Sequence, residues 1–107
     1  MENKYYKPIK CLYEKLIAHP CGCTFSLEQH LGGFMIICSK NGQREWDVIC
    51  NWSSYGGDSG KLEEMGLFDK EEDEDSVTGW LTPQQVFNKF IEKYEDWSEY
   101  ESWYKEQ

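Results

Sequence analysis

The sequence predicts an α+β domain in which a small antiparallel meander of three strands carries an N-terminal helix and a longer C-terminal helix on one face. A fourth strand at residues 77–81 is the alternative. An Asn-Gly pair between two apolar runs predicts the centre of the sheet, and apolar residues at helical spacing near both ends predict the helices. The 107 residues suit a single domain, 1–107, with one modest core.

The Asn41-Gly42 pair predicts a β-hairpin over residues 33–52. Side chains alternate between the two faces of a strand, so residues two apart share a face. The face expected to be buried carries Phe34, Ile36, Cys38, Trp46, Val48, Cys50 and Trp52. The opposite face carries Met35, Ile37 and Ile49, and we expect it to be partly covered or available to a partner.

The loop length decides which residues pair across this hairpin. A two-residue loop pairs Lys40 with Gln43 and sets apolar positions opposite polar ones. A three-residue loop over 40–42, with a bulge, pairs Ile36 with Trp46 and keeps both apolar sets on one face. We predict the three-residue loop, because a slip of one residue would expose Trp46.

Residues 4–18 predict an amphipathic helix that His19-Pro20 ends, since the residue before a proline disfavours the helical region. Residues 24–31 fit a strand that would complete a meander with the hairpin. A short helix capped by Ser26 is the alternative there.

Residues 61–67 resemble one or two helical turns ended by a glycine, and the acidic run 69–75 predicts a solvated loop. Thr82-Pro83-Gln84-Gln85 predicts a helix start, with Thr82 as the cap and Gln85 reaching back to it. Aromatic residues follow at helical spacing to the end of the chain, as one helix or as two.

The charge is uneven along the chain. Residues 1–57 carry six basic and five acidic residues, for a net charge of +1, and residues 58–107 carry five and fifteen, for −10. This acidic half argues against phosphate backbones and anionic membranes as ligands and favours a basic protein surface. The sequence has no apolar run long enough to span a bilayer, and its first residues have no signal-peptide core. The expected location is therefore the cytoplasm, where cysteines are expected to be free thiols.

The C-terminal stretch is the leading candidate for a partner-binding site. It combines carboxylates with more aromatic area than one helix needs to pack on a small sheet, and aromatic residues are enriched at interfaces. The alternative is that its aromatic residues belong to the core. The predicted contact residues are Glu92, Glu95, Asp96, Trp97, Glu99, Tyr100, Glu101, Trp103 and Tyr104.

His19, Cys21 and Cys23 form the best candidate metal site, because zinc favours imidazole and thiolate ligands. Their spacing is tight, and no second pair of ligands follows along the chain. A reactive thiol at Cys21 or Cys23 is a further alternative. The remaining cysteines, Cys11, Cys38 and Cys50, are expected to be small buried hydrophobic residues. No cofactor is predicted.

Gly57-Asp58-Ser59-Gly60 matches part of the motif around the nucleophile of trypsin-like proteases. Such an enzyme needs two β-barrels, which this chain is too short to form. The acidic run 71–75 lacks the glycine and the alternate spacing of an EF-hand loop. Neither motif predicts catalysis or calcium binding.

Three segments carry a resemblance to a known group: Glu45–Cys50, Ser54–Gly66 and Gly79–Pro83. They resemble small acidic proteins of unknown function from prophages and mobile elements of Firmicutes, over residues 24–94. The group contributes no catalytic or binding residues. The resemblance implies a gene on a mobile element and action in a bacterial cytoplasm.

These observations predict a non-enzymatic binding module that occupies a basic nucleic-acid-binding site on a host protein by imitating phosphates, as many anti-CRISPR proteins do. Direct contact with nucleic acid or a membrane is not expected. One alternative is a metal- or thiol-dependent protein centred on His19, Cys21 and Cys23. The other is a self-associating accessory protein, such as a homodimer, held together through residues 97–104 or through Met35, Ile37 and Ile49.

Overall fold

A computed structural model describes residues 3–19, 22–67 and 77–93 of the chain. A second helix, α2, begins at residue 83 and is described to residue 93. The other elements are helix α1 (Tyr6–Ile17) and strands β1 (Thr24–His30), β2 (Gly33–Lys40), β3 (Gln43–Cys50), β4 (Leu62–Met65) and β5 (Val77–Leu81). The α+β class is confirmed.

The five described strands form one antiparallel sheet in the order β1-β2-β3-β4-β5. The sequence predicted three or four strands, which is fewer than the five described. The strand alternative at residues 77–81 is confirmed, whereas the helical turns predicted for 61–67 are wrong, because that segment contains β4. Glutamate and methionine favour helices locally, but pairing with β3 decides the outcome here.

A buried glutamate explains why β4 is hard to recognise in the sequence. Leu62 and Glu64 both point to the core, and Glu64 is only 1% exposed. Its carboxylate accepts a hydrogen bond from the backbone N–H of Leu67, which satisfies part of its need for partners. A polar residue at a core position breaks the alternation that normally reveals a strand.

Both helices pack on the same face of the sheet, as predicted. Ile9, Leu12 and Leu16 of α1 are fully buried in one apolar cluster with residues of the sheet and of α2. The ring of Phe90 on α2 lies with its centroid 5.7 Å from that of Phe25 and 5.9 Å from that of Trp46. The end of α2 lies outside the described residues, and so does the question whether it is one helix or two.

The hairpin loop has two residues, so the predicted three-residue loop is wrong. Asn41 and Gly42 have φ values of 54° and 79°, and positive φ at both loop positions is the geometry that Asn-Gly favours in tight hairpins. Lys40 pairs with Gln43 across the loop.

A bulge restores the predicted faces. The register shifts between Cys38 and Ser39, which leaves Glu45 as the extra residue on β3. Beyond the bulge Ile36 pairs with Val48, not with Trp46 as predicted. The faces are nevertheless as expected, because every pair beyond the bulge joins residues that share a face.

Of the remaining local predictions, some are confirmed and others are wrong. Residues 24–30 form a strand, so the capped-helix alternative is wrong. The start of α2 is confirmed in detail, because the N–H of Gln85 donates to Thr82 Oγ1 at 3.1 Å and the N–H of Thr82 donates to Gln85 Oε1 at 2.8 Å. Trp52 was expected on the buried face but is 64% exposed, because β3 ends at Cys50 and the chain turns away.

Candidate protein-binding surfaces

Of the nine residues predicted to contact a partner, Glu92 is the one that the structure describes. It lies exposed on α2, where its Oε1 is 3.6 Å from Lys89 Nζ. The other eight, Glu95, Asp96, Trp97, Glu99, Tyr100, Glu101, Trp103 and Tyr104, lie outside the described residues. The C-terminal binding site therefore stays a prediction.

The excess negative charge is concentrated outside the described part of the chain. The described residues carry nine Lys or Arg and eight Asp or Glu, for a net charge of +1. The rest of the chain carries two Lys and twelve Asp or Glu, for a net charge of −10. Eleven of those twelve acidic residues lie in 69–75 and 95–106. The described residues thus carry little net charge, and most of the acidic excess of the sequence lies in the segments 69–75 and 95–106.

The structure places His19, the first residue of the predicted metal site, against α2. Its ring packs edge-on against Phe87 and Phe90, with centroid distances of 6.2 and 5.9 Å. Cys23 is half-buried next to β1, and Cys21 lies outside the described residues. Within the described ranges, no group of three His, Cys, Asp or Glu side chains is placed to hold a metal ion.

The buried cysteines behave as the sequence predicts, with one correction. Cys38 and Cys50 are fully buried on the helix-covered face, whereas Cys11 is exposed on α1, because it lies outside the apolar stripe of that helix. Burial raises the pKa of the Cys50 thiol to about 11, and the charge of Asp58 adds to this effect. A thiol with so high a pKa is protonated at neutral pH and is a poor nucleophile.

The face of the sheet that neither described helix covers, called the helix-free face below, mixes apolar and acidic side chains. The register aligns its residues in two rows across the strands. One row is Ser26, Ile37, Asp47, Met65 and Val77, and the other is Glu28, Met35, Ile49 and Glu63. Most of its apolar residues are half-buried, while Met65 and Val77 are 39% and 38% exposed.

Two exposed aromatic residues are held close together at one end of this sheet. Tyr55, from the loop before β4, and Trp80, from β5, are each 63% exposed. The N–H of Trp80 donates to the Tyr55 carbonyl at 3.1 Å, and the N–H of Tyr55 donates to Glu63 Oε1 at 2.9 Å. The pair is thereby fixed beside the helix-free face.

The backbone around this pair is strained and closely packed. Trp80 has a φ of 58°, which is rare for a bulky residue. A side chain at Gly79 would place its Cβ 2.3 Å from Tyr55 Cβ, so only glycine fits at that position. The sequence did not predict this contact, because Gly79 and Tyr55 are far apart in the chain.

The loop between β3 and β4 is ordered by its own hydrogen bonds. Asn51 is fully buried; its N–H donates to Ser54 Oγ at 2.9 Å, and its Oδ1 accepts from the N–H of Ser53 at 2.8 Å. The Asn51 side-chain nitrogen lies 3.1 Å from His30 Nδ1, at the end of β1. These bonds fix the start of the loop that carries Tyr55 and connect it to the end of β1.

Asp58, from the protease-like motif, has a structural contact. The Tyr5 hydroxyl donates to its carboxylate at 2.6 Å, and Lys4 Nζ lies 3.2 Å away. The hydrogen bond from Tyr5 and then the charge of Lys4 lower the pKa of Asp58. The contact joins the segment before α1 to the loop between β3 and β4.

The described residues form a two-layer α+β fold that exposes apolar and acidic side chains on the face that neither α1 nor α2 covers. The chain matches no protein-family model, no curated protein and no solved structure. Among the described residues, no helix combines the length and the apolar character needed to span a membrane.

Proposed function

We propose that this protein is a non-enzymatic binding protein that occupies a basic nucleic-acid-binding site on a host protein. The charge distribution carries the proposal. Eleven of the 20 Asp and Glu residues lie in two short segments of the sequence, 69–75 and 95–106. Charge needed only for solubility has no reason to be concentrated in this way.

Carboxylates at surface spacing can substitute for phosphates in a basic groove. Complementary charge raises the association rate and excludes partners of the wrong sign. The acidic residues of 95–101 are interleaved with Trp97 and Tyr100, and aromatic residues supply the desolvated anchors that charge alone lacks. The resemblance to small acidic prophage proteins adds a context in which blocking a host nuclease is useful.

A displacement assay tests this function. Purified RNA-guided nucleases are loaded with a fluorescent guide RNA or duplex DNA, and release of the nucleic acid is followed by anisotropy as this protein is added. We expect displacement at low salt from at least one nuclease, with affinity falling as salt is raised because the contacts are electrostatic. No displacement from any nuclease at low salt, or binding that is insensitive to salt, would contradict the proposal.

Charge reversal locates the interface within the chain. The triple variant Glu92→Lys, Glu95→Lys and Asp96→Lys should weaken displacement by roughly tenfold or more, as expected for charges at an interface. The matched control reverses three charges in the other acidic segment, Asp69→Lys, Glu71→Lys and Glu72→Lys. If the two triple variants lose the same amount of displacement activity, net charge alone drives binding and the C-terminal stretch is not the binding site.

A further inference from the structure

The helix-free face already binds one guanidinium group within the molecule. Arg44 projects across it, with Nη2 at 2.5 Å from Asp47 Oδ2 and 3.9 Å from the sulfur of Met35. The Asp47 side chain is only 16% exposed, so this ion pair is partly shielded from water. A carboxylate beside a thioether is a suitable environment for arginine, which is planar and weakly hydrated.

Two further carboxylates on this face have no basic partner in the described part of the chain. Glu28 on β1 and Glu63 on β4 lie at the two ends of one row, with Met35 and Ile49 between them. They accept hydrogen bonds from the Ser26 hydroxyl and the Tyr55 N–H, but neither forms an ion pair with a described residue. Three strand spacings separate them by about 14 Å.

Apolar and aromatic groups beside these carboxylates are exposed. Met65 and Val77 end the other row, and Tyr55 and Trp80 stand next to Glu63. Arginine stacks on aromatic rings and also pairs with carboxylates, so one side chain can use both kinds of group. One row is therefore apolar in the middle and acidic at both ends, and the other carries Asp47 in its middle and apolar residues at one end.

We propose that the helix-free face docks an arginine-bearing surface of a partner protein, whose guanidinium groups pair with Glu28 and Glu63 and whose apolar side chains cover Met65 and Val77. A second copy of this chain is a poor occupant, because it would bring like charges together. The acidic ends also repel nucleic acid. This inference rests on the proposed function, since both require a basic partner, but it assigns the contact to a different surface.

The probes are two synthetic peptides of equal charge and length, one alternating arginine with valine and the other alternating lysine with valine. Binding is measured by titration into the ¹⁵N-labelled full chain. We expect the amide signals of β2, β3 and β4 to shift, and the arginine peptide to bind roughly fivefold or more tightly because it pairs bidentately and packs on apolar groups. Equal binding of both peptides, or no shift on these strands, overturns the proposal.

Single charge changes provide matched controls. Glu28→Lys should weaken the arginine peptide by roughly tenfold, whereas Glu14→Lys, an equal change on an exposed position of α1, should have a much smaller effect. Glu63→Gln removes the charge and keeps an acceptor for the N–H of Tyr55, so it tests the second carboxylate without removing that bond. If Glu28→Lys and Glu14→Lys lower the affinity for the arginine peptide equally, the binding site is not on this face.

A variant of opposite sign makes the test sharper. Arg44→Gln frees the Asp47 carboxylate, so it should raise the affinity for the arginine peptide about threefold, which damage to the fold would not do. Lys10→Gln removes the same charge from α1 and should leave the affinity almost unchanged. A lower affinity for Arg44→Gln contradicts the proposal.

Two outcomes separate this inference from the proposed function. If Glu28→Lys displaces nucleic acid from a nuclease as well as the unaltered protein does, while the C-terminal triple variant fails, the function stands and this inference is wrong. If no nuclease is displaced but the peptide results hold, the face binds arginine and the proposed function is wrong. A dimer in sedimentation equilibrium that Glu28→Lys dissociates would identify a second copy as the occupant and also overturn the inference.

Discussion

Ile36 and Ile37 are consecutive residues of β2, yet they lie in opposite environments. Ile36 is fully buried beneath the helices, opposite Val48. Ile37 is half-buried on the helix-free face, in a row with Asp47 and Met65. One face is closed by apolar side chains of both helices, and the other mixes apolar residues with carboxylates. The comparison shows that the same residue type serves the core on one face and a surface on the other.

The largest effect should come from truncating these two isoleucines. Ile36→Ala should lower the free energy of unfolding by about 2–5 kcal/mol, because it loses buried surface and leaves a cavity. Ile37→Ala removes the same atoms from a half-buried site and should cost about 1 kcal/mol. Urea denaturation of both variants measures the difference. Equal losses would mean that the helix-free face is covered in solution as well as the core is.

The second effect tests the aromatic pair beside the helix-free face. Gly79→Ala would place a Cβ 2.3 Å from Tyr55 Cβ, so Tyr55 must move, at a cost of roughly 2 kcal/mol. Gly60→Ala is the control: its Cβ meets nothing within 4 Å, but its φ is 73°, which should cost about 1 kcal/mol.

Thermal denaturation and the chemical shifts of the Tyr55 ring distinguish the two glycine variants. Gly79→Ala should change both, and Gly60→Ala should lower the melting temperature without moving the Tyr55 signals. An unshifted Tyr55 ring in Gly79→Ala would show that the aromatic pair is not held as described.

A smaller effect concerns the start of α2, which closes the covered face. Thr82→Ala removes the hydroxyl that accepts the N–H of Gln85 and should cost about 1 kcal/mol. Gln84→Ala breaks an exposed hydrogen bond to Asn88 on the same helix and should cost only about 0.3 kcal/mol. Urea denaturation measures the free energy of unfolding of both variants. A larger loss for Gln84→Ala than for Thr82→Ala would show that the capping box does not stabilise the start of α2.

The smallest effect is that of pH on the contact between Asp58 and Tyr5. The pKa of Asp58 is below its ordinary value, so the contact stabilises the fold above that ordinary value, and this contribution is lost as the pH falls through the lowered pKa. Tyr5→Phe should raise the pKa of Asp58, which carboxyl ¹³C shifts can follow during an acid titration. An unchanged pKa would assign the shift to Lys4 alone.

Local signals predicted much of the fold. The presence of α1, the capping box of α2 and the faces of β2 and β3 depend on neighbours in the sequence, and all of them are confirmed; α1 itself spans Tyr6–Ile17, within the predicted 4–18. β4 was missed because Glu64 occupies a core position, where its carboxylate accepts a hydrogen bond from the N–H of Leu67. Periodicity cannot reveal a buried polar residue whose hydrogen-bond partner depends on the tertiary fold.

The candidate surfaces were predicted less completely. The sequence predicted that Met35, Ile37 and Ile49 share the face opposite the core, partly covered or available to a partner, and the structure places all three on the helix-free face. The sequence did not predict the ion pair between Arg44 and Asp47, because that contact requires the bulge at Glu45. It also did not suggest that Tyr55 and Trp80 meet, because β5 must first pair with β4.

The sequence alone therefore determined the class of the fold, the presence of α1, the start of α2 and the alternation of faces in the hairpin, since these follow from residue spacing and capping within a few positions. The tertiary structure decided the fourth strand, the bulged register and the pairing of aromatic and acidic groups beside the helix-free face. The physical reason is that strand pairing brings together residues that are distant in the chain, and local propensity is too weak to specify which of them meet.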